Sequence, residues 1–156
     1  MKKARIKTPL GIAELCGDEN GLSSVKVMDV GDLSSEIPGE LKLPIEQLQA
    51  YFIGDLKDFD LKLNPQGTDF QKKVWKKLIE IPYGTTTSYL KLSRDLGNEK
   101  AIRAVASANG KNPLWIIVPC HRVIGSDGSL TGYAGGLHRK KWLLDLENPP
   151  NQQSLF

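Results

Sequence analysis

Residues 87–110 read TSYLKLSRDLGNEKAIRAVASANG, and the architecture follows from this stretch. From Thr87 to Leu96 apolar residues recur at helical spacing, and Gly97 supplies a stop. Asn98 is suited to cap a second helix from Glu99 to Asn109, which Gly110 ends. Two helices joined by a short glycine-containing turn are the signature of a helix-turn-helix. On the second helix Ile102, Val105 and Asn109 share one face, with Ala106 beside them, and that face should pack inward. Lys100, Arg103, Ala104 and Ser107 share the opposite face. Small residues there let the backbone approach a partner, and the two cations suit phosphates. An ordinary solvated face of good helix formers would look the same.

Upstream, Phe70, Val74, Trp75 and Leu78 form one helical stripe behind Thr68, a candidate cap with Gln71 three residues on. Downstream, the apolar run Leu114–Val118 predicts a buried strand. Val123-Ile124 and Leu130-Thr131 flank the turn sequence Ser126-Asp127-Gly128-Ser129. A loop, Gly132-Tyr133-Ala134-Gly135-Gly136, leads to a last helix carrying Leu137, Trp142, Leu143 and Leu146. The breaker cluster Asn64-Pro65-Gln66-Gly67 marks a domain boundary. Before it, Ile6–Leu15 and Leu22–Val30 read as a β-hairpin about Asp18-Glu19-Asn20-Gly21. Gly31–Pro44 is irregular, Ile45–Ile53 a short helix and Leu56–Leu63 a strand. The expected class is α+β, with domains at 1–64 and 65–147 and a flexible tail at 148–156.

The 156 residues suit one compact domain or two small ones, and 40% hydrophobic with 25% charged is ordinary for a soluble globular chain. No apolar run approaches the roughly 18 residues of a membrane span, so a cytoplasmic protein is expected. The net charge of +3 is uneven. Residues 1–64 carry −3, residues 65–142 carry +8 and the remainder −2. A basic middle is what a polyanion-binding module would show, although a solvated helix face accounts for it equally well.

The chain has two cysteines, Cys16 and Cys120, and two histidines, His121 and His138. That is too few for a disulfide framework or a clustered Cys/His metal site, and it suits a reducing compartment. Cys120 follows the apolar run, in Pro119-Cys120-His121-Arg122-Val123. A free thiol titrates near ~8.5, so a nucleophilic cysteine needs a nearby base or positive field. His121 and Arg122 are placed to supply one. Taken alone, a lone cysteine packs more often as a small hydrophobe.

The run Pro119–Val123, with Asn112-Pro113 before it and Gly132-Tyr133 after it, resembles the O6-alkylguanine-DNA alkyltransferases. The resemblance spans roughly 65–147, including Tyr89, the Arg103 helix and the Trp142-Leu143-Leu144 helix ending near Glu147. It implies a winged-helix-like helix-turn-helix domain, preceded by a small α/β domain of RNase H-like type that the N-terminal segment matches loosely. It implies irreversible, single-turnover transfer of an alkyl group from guanine O6, and from O4-alkylthymine, to Cys120 in double-stranded DNA, by a monomer without cofactor. His121 would take the thiol proton through water, and Glu147 would support the imidazolium. Tyr89 would protonate the leaving base, and Asn112 would brace the turns. Arg103 would fill the gap left by the flipped base, beside Lys100, Ala104, Ser107 and Arg122 on the DNA. Tyr133 and the backbone of Val118, Val123 and Ala134 would line the pocket. Trp115 would narrow that pocket and Gly135 would widen it. Cys16 has no matching role, and no ligand set for a zinc ion is present.

Two alternatives stay open at this level: a non-catalytic lesion-binding relative, and a Cys–His thiol enzyme acting on small molecules. The first lacks the cysteine, and the basic helix-turn-helix counts against the second. The tail Gln152-Gln153-Ser154-Leu155-Phe156 resembles the pentapeptide by which bacterial proteins dock on the sliding clamp, through Gln152, Leu155 and Phe156. Docking of Leu155-Phe156 on the protein's own surface is equally compatible.

Overall fold

The computed structural model describes residues 1–149. The tail residues Gln152, Leu155 and Phe156 therefore lie outside the described part. The fold is α+β and divides into two compact units: Met1–Thr68 with Pro113–Ile117, and Asp69–Asn112 with the chain from Val118 on.

In the first unit, β1 (Lys2–Thr8), β2 (Gly11–Asp18) and β3 (Gly21–Met28) form an antiparallel sheet in the order β1-β2-β3. The single strand expected over 6–15 is thus two strands. Between them Thr8 Oγ1 accepts from Leu10 N at 3.2 Å and donates to the Gly11 carbonyl at 2.8 Å, closing a turn at Pro9-Leu10 ahead of Gly11 at φ 131. One sheet face buries Ala4, Ile6, Ala13, Leu15, Val25 and Val27 at period two. Helix α1 (Gly39–Phe52) covers it with Leu41, Ile45, Leu48, Tyr51 and Phe52. This helix begins six residues before the expected Ile45, because it tolerates Pro44 close to its start, where only one backbone bond is lost.

Leu56–Leu63 is not a strand. Only Leu63 bridges, to Leu22, and the Gln47 amide fastens the segment through both backbone groups of Asp60 at 2.9 and 3.0 Å. Gly21 sits at φ +132, where an added Cβ would lie 2.8 Å from the Lys62 carbonyl oxygen, so the close approach requires glycine.

Leu114–Val118 is buried as expected, except for half-exposed Trp115, yet it is not a strand. Leu114 makes one bridge to Val25, and the chain then turns. Ile117 N bonds the Trp115 carbonyl at 2.8 Å around Ile116, whose φ is 75. That is a γ-turn of the strained hand on a β-branched residue. Cys120 N bonds the Val118 carbonyl at 2.8 Å around Pro119 at φ −80, ψ 61, an inverse γ-turn.

In the second unit, α2 (Asp69–Ile79), α3 (Tyr89–Asp95) and α4 (Ile102–Gly110) build the helix-turn-helix. Ser88 caps α3 by accepting from Lys91 N at 3.0 Å, and Gly97 at φ 86 ends the segment. Asn98 Oδ1 accepts from Lys100 N at 3.1 Å, opening a 3-10 turn over Glu99–Ala101 ahead of α4. The expected helix over 99–109 is therefore a 3-10 turn followed by an α-helix. Trp75 Nε1 donates to the Ala108 carbonyl at 2.9 Å, pinning α2 to α4. Two short strands, β4 (Thr87–Ser88) and β5 (Val123–Ile124), pair in parallel, and α5 (Leu137–Glu147) closes the unit.

Candidate active site

The turn Cys120–Arg122 and helix α5 bring the chemistry together. Cys120 is 4% exposed, and His121 is fully buried. The inward residues of α5 are Arg139, Lys140, Leu143 and Glu147, so the stripe at helical spacing that faces the interior is largely ionic. Of the apolar residues this helix carries, Leu143 is buried and Leu137 is 47% exposed.

Glu147 collects donors at both oxygens. His121 Nε2 lies 2.7 Å from Oε2. Arg122 Nε donates to Oε1 at 2.7 Å and Nη2 to Oε2 at 2.9 Å. Gly84 N donates to Oε1 at 3.3 Å. Arg122 also gives Nη1 to the Ile81 carbonyl at 2.7 Å and lies 5.6 Å from the Tyr83 ring centroid, a cation–π contact. The expectation that Arg122 meets DNA is corrected by this geometry. Its side chain is 7% exposed and its fork is spent on Glu147 and Ile81, so it presents no charge to a phosphate.

His121 Nδ1 is buried and has no hydrogen-bond partner among the described residues. Burial pulls the imidazole below its ordinary 6.5. Glu147 pulls the other way, and the cations Arg122 and Lys140 add to the lowering. The neutral ring leaves Nδ1 as an open acceptor. Burial pushes the Cys120 thiol up to about 11, opposed by a hydrogen bond from Asn112 and by the Lys140 ammonium. Cys120 thus rests as a thiol, not as the thiolate expected from its neighbours in sequence. A proton acceptor is needed before it can attack.

Asn112 Nδ2 donates to the Val118 carbonyl at 2.9 Å. Lys140 is the residue that sequence reasoning missed. It is fully buried and donates to the carbonyls of Val123 at 2.6 Å and Thr131 at 2.7 Å. It ties β5 to the 131–134 loop, and burial lowers its ammonium to about 8. A lysine on a terminal helix reads as solvated, and no spacing marked this one. Gly84 was missed for the same reason.

Tyr89, Ala106, Asn109, Gly110, Thr131–Tyr133 and Ala134 line a cleft of about 420 Å³, within the usual range of small-molecule sites. Tyr89 and Tyr133 both feel the charge of Cys120, and burial pushes both phenols up, so each stays a donor at neutral pH. Tyr89 Oη donates to the Thr131 carbonyl at 3.3 Å. Of the other expected pocket residues, Ala134 lines the cleft, whereas Val118, Val123, Gly135 and Trp115 do not. Val118 and Val123 are buried, and their carbonyls already accept from Asn112 and Lys140. Asn109 was read as plain core. It is 3% exposed and lines the cleft, and its Oδ1 has no partner among the described residues.

On α4 and the turn before it, Lys100, Arg103, Ala104 and Ser107 are all exposed, as their shared face predicts. No group of three or more His, Cys, Asp or Glu among the described residues could hold a metal ion. No described helix is long and apolar enough to cross a membrane.

A helix-turn-helix and the buried Cys120, His121 and Glu147 within one compact unit suit a protein that binds DNA. The family model described as "6-O-methylguanine DNA methyltransferase, DNA binding domain" matches residues 69–149. The methylated-DNA–protein-cysteine methyltransferase of Methanosarcina acetivorans is 50% identical over 154 residues, covering 94% of this chain and 98% of the relative. That of Mycobacterium tuberculosis is 46% identical over 158 residues, covering 97% and 96%. The crystal structure of M. tuberculosis OGT in complex with DNA superposes with a TM-score of 0.85 at 45% identity, covering 93% of this chain and 92% of that one. The chain belongs to the methylated-DNA–protein-cysteine methyltransferase family.

Proposed function

We propose that this protein repairs alkylated DNA by moving the alkyl group from guanine O6 to Cys120, once per molecule. The observation that carries the reading is the buried thiol next in sequence to an imidazole whose Nε2 is committed to Glu147 and whose Nδ1 is open. The sulfur–carbon bond forms as the carbon–O6 bond breaks, and the electron pair of that bond leaves with the guanine. The thiol proton passes to His121 Nδ1, through a water. Tyr89, kept protonated by its burial, gives a proton to a ring nitrogen of the departing base and is reprotonated from His121. The protons lost and gained balance, and the DNA itself is the alkyl donor, so no cofactor enters. A thioether has no leaving route in this site, and the molecule is consumed.

Double-stranded DNA carrying an alkylated guanine is the partner, and the same route serves O4-alkylthymine. The exposed face of Arg103, Ala104, Ser107 and Lys100 lies along the duplex. Arg103 takes the place of the flipped base, which enters the cleft lined by Tyr133 and Ala134. The protein acts as a cytoplasmic monomer, and Gln152, Leu155 and Phe156 dock it on a sliding clamp. A pull-down with the purified clamp tests that last point, and equal retention after deletion of residues 152–156 contradicts it. For the activity, DNA labelled in the O6-methyl group should pass its label to the wild-type protein. Cys120→Ala should bind the same DNA and take no label. Label on Cys120→Ala places the acceptor elsewhere.

A further inference from the structure

Glu147 is shared between two cationic or potentially cationic partners, and this division has a chemical result. A carboxylate bonded to His121 alone would favour the imidazolium and so weaken the ring as a proton acceptor. Here the carboxylate already belongs to a guanidinium, through the paired contacts Nε–Oε1 at 2.7 Å and Nη2–Oε2 at 2.9 Å. Arginine stays charged under all working conditions and donates only. A carboxylate gripped on both oxygens by such a fork can only accept, so the hydrogen in the 2.7 Å contact to His121 sits on Nε2.

We propose that Arg122 is a positioning residue which, by holding both oxygens of Glu147, fixes the carboxylate that accepts from His121 Nε2–H and offsets its pull on the ring, so that His121 stays neutral with Nδ1 open to the Cys120 proton. This rests on the reading of Cys120 as the alkyl acceptor. Arg122 is itself held from three sides: by Glu147, by the Ile81 carbonyl at 2.7 Å and by the Tyr83 ring. Burial leaves it little freedom to serve elsewhere. The titratable and charged groups acting on His121 are Cys120 and Arg122 on its own turn, and Glu147 and Lys140 from α5. Tyr83 stands against the Arg122–Glu147 pair. Of these only Glu147 favours the imidazolium. Arg122 offsets it directly and Lys140 adds to the offset.

The test follows the ring nitrogens of His121 by NMR in the full chain, alongside the pH dependence of single-turnover methyl transfer. The second histidine is removed by His138→Gln. With Arg122 present, His121 should be the Nε2–H tautomer, and the acid limb of the rate should coincide with its titration. Arg122→Met should move both the titration and the limb upward by about one pH unit. Arg122→Lys, which restores charge without the fork, should bring them most of the way back. Should Arg122→Met fail to fold, Arg122→Gln keeps a donor to Glu147 without charge and should shift the same way. An Nδ1–H tautomer in the wild type, or neutral variants that titrate with the wild type, overturns the proposal. Absence of methyl transfer by the wild type would instead overturn the reading of Cys120, and the tautomer measurement would stand apart from it.

Discussion

Lys140 and Cys120 oppose one another at the residue scale. The ammonium is held by the carbonyls of Val123 and Thr131, and its field favours the thiolate that burial disfavours. Lys140→Met therefore raises the thiol further and slows single-turnover transfer about tenfold per unit of added shift. An unchanged rate would show that the lysine only braces the loop. His121, held below its ordinary 6.5, remains neutral across the physiological range. The transfer rate should stay level down to that value and fall only below it, as protonation fills Nδ1. A rate already falling at pH 7.5 contradicts the neutral ring. A dense local motif and its ordered companions nominate Cys120, His121, Glu147, Tyr89 and Asn112 in sequence, and the structure sets His121 against Glu147 and Asn112 against the Val118 carbonyl. The contacts of Arg122, Lys140 and Gly84 were not legible, since a charged side chain or a glycine shows nothing in sequence of the carboxylate or carbonyls it will meet.

Helix α4 owes its orientation to few fastenings, and Trp75 is the most specific among elements. Trp75→Phe keeps the ring packing and loses the bond to the Ala108 carbonyl. Stability should fall by about 1 kcal/mol in urea unfolding. The outer face of α4 is the proposed contact with DNA. Arg103→Ala should weaken binding across sequences, flatten its salt dependence by about one charge and slow transfer. The Cys120 thiol should keep its reactivity toward a small alkylating reagent. An Arg103→Ala protein that repairs at the wild-type rate refutes its role as the residue that replaces the base. The helix-turn-helix was readable from its glycine and cap residues, because those positions have few alternative uses. The strands expected at 56–63 and 114–118 were misread for one physical reason. Apolar side chains report contact with the core, not a ladder: Leu56, Phe59, Leu61 and Leu63 are only partly covered and one bridge forms at Leu63, while buried 114–118 makes one bridge and then a γ-turn.

Across the whole molecule, an acidic amino-terminal stretch and a basic stretch from 65 to 142 divide the labour. The basic part contains the exposed face of α4 and the buried thiol, and the two compact units follow that division closely. They depart from it where Pro113–Ile117 joins the first unit through the Val25–Leu114 bridge, a pairing distant in sequence that no local pattern announces. The central claim is a single, irreversible transfer to Cys120, and counting methyl groups per protein tests it most directly. The full chain is given a large excess of duplex bearing O6-methylguanine, and the plateau is read by intact-protein and peptide mass. One methyl per molecule, on the peptide holding Cys120, is the predicted result. Methyl loss from DNA that continues past one per protein, or a methyl found on Cys16, would contradict it.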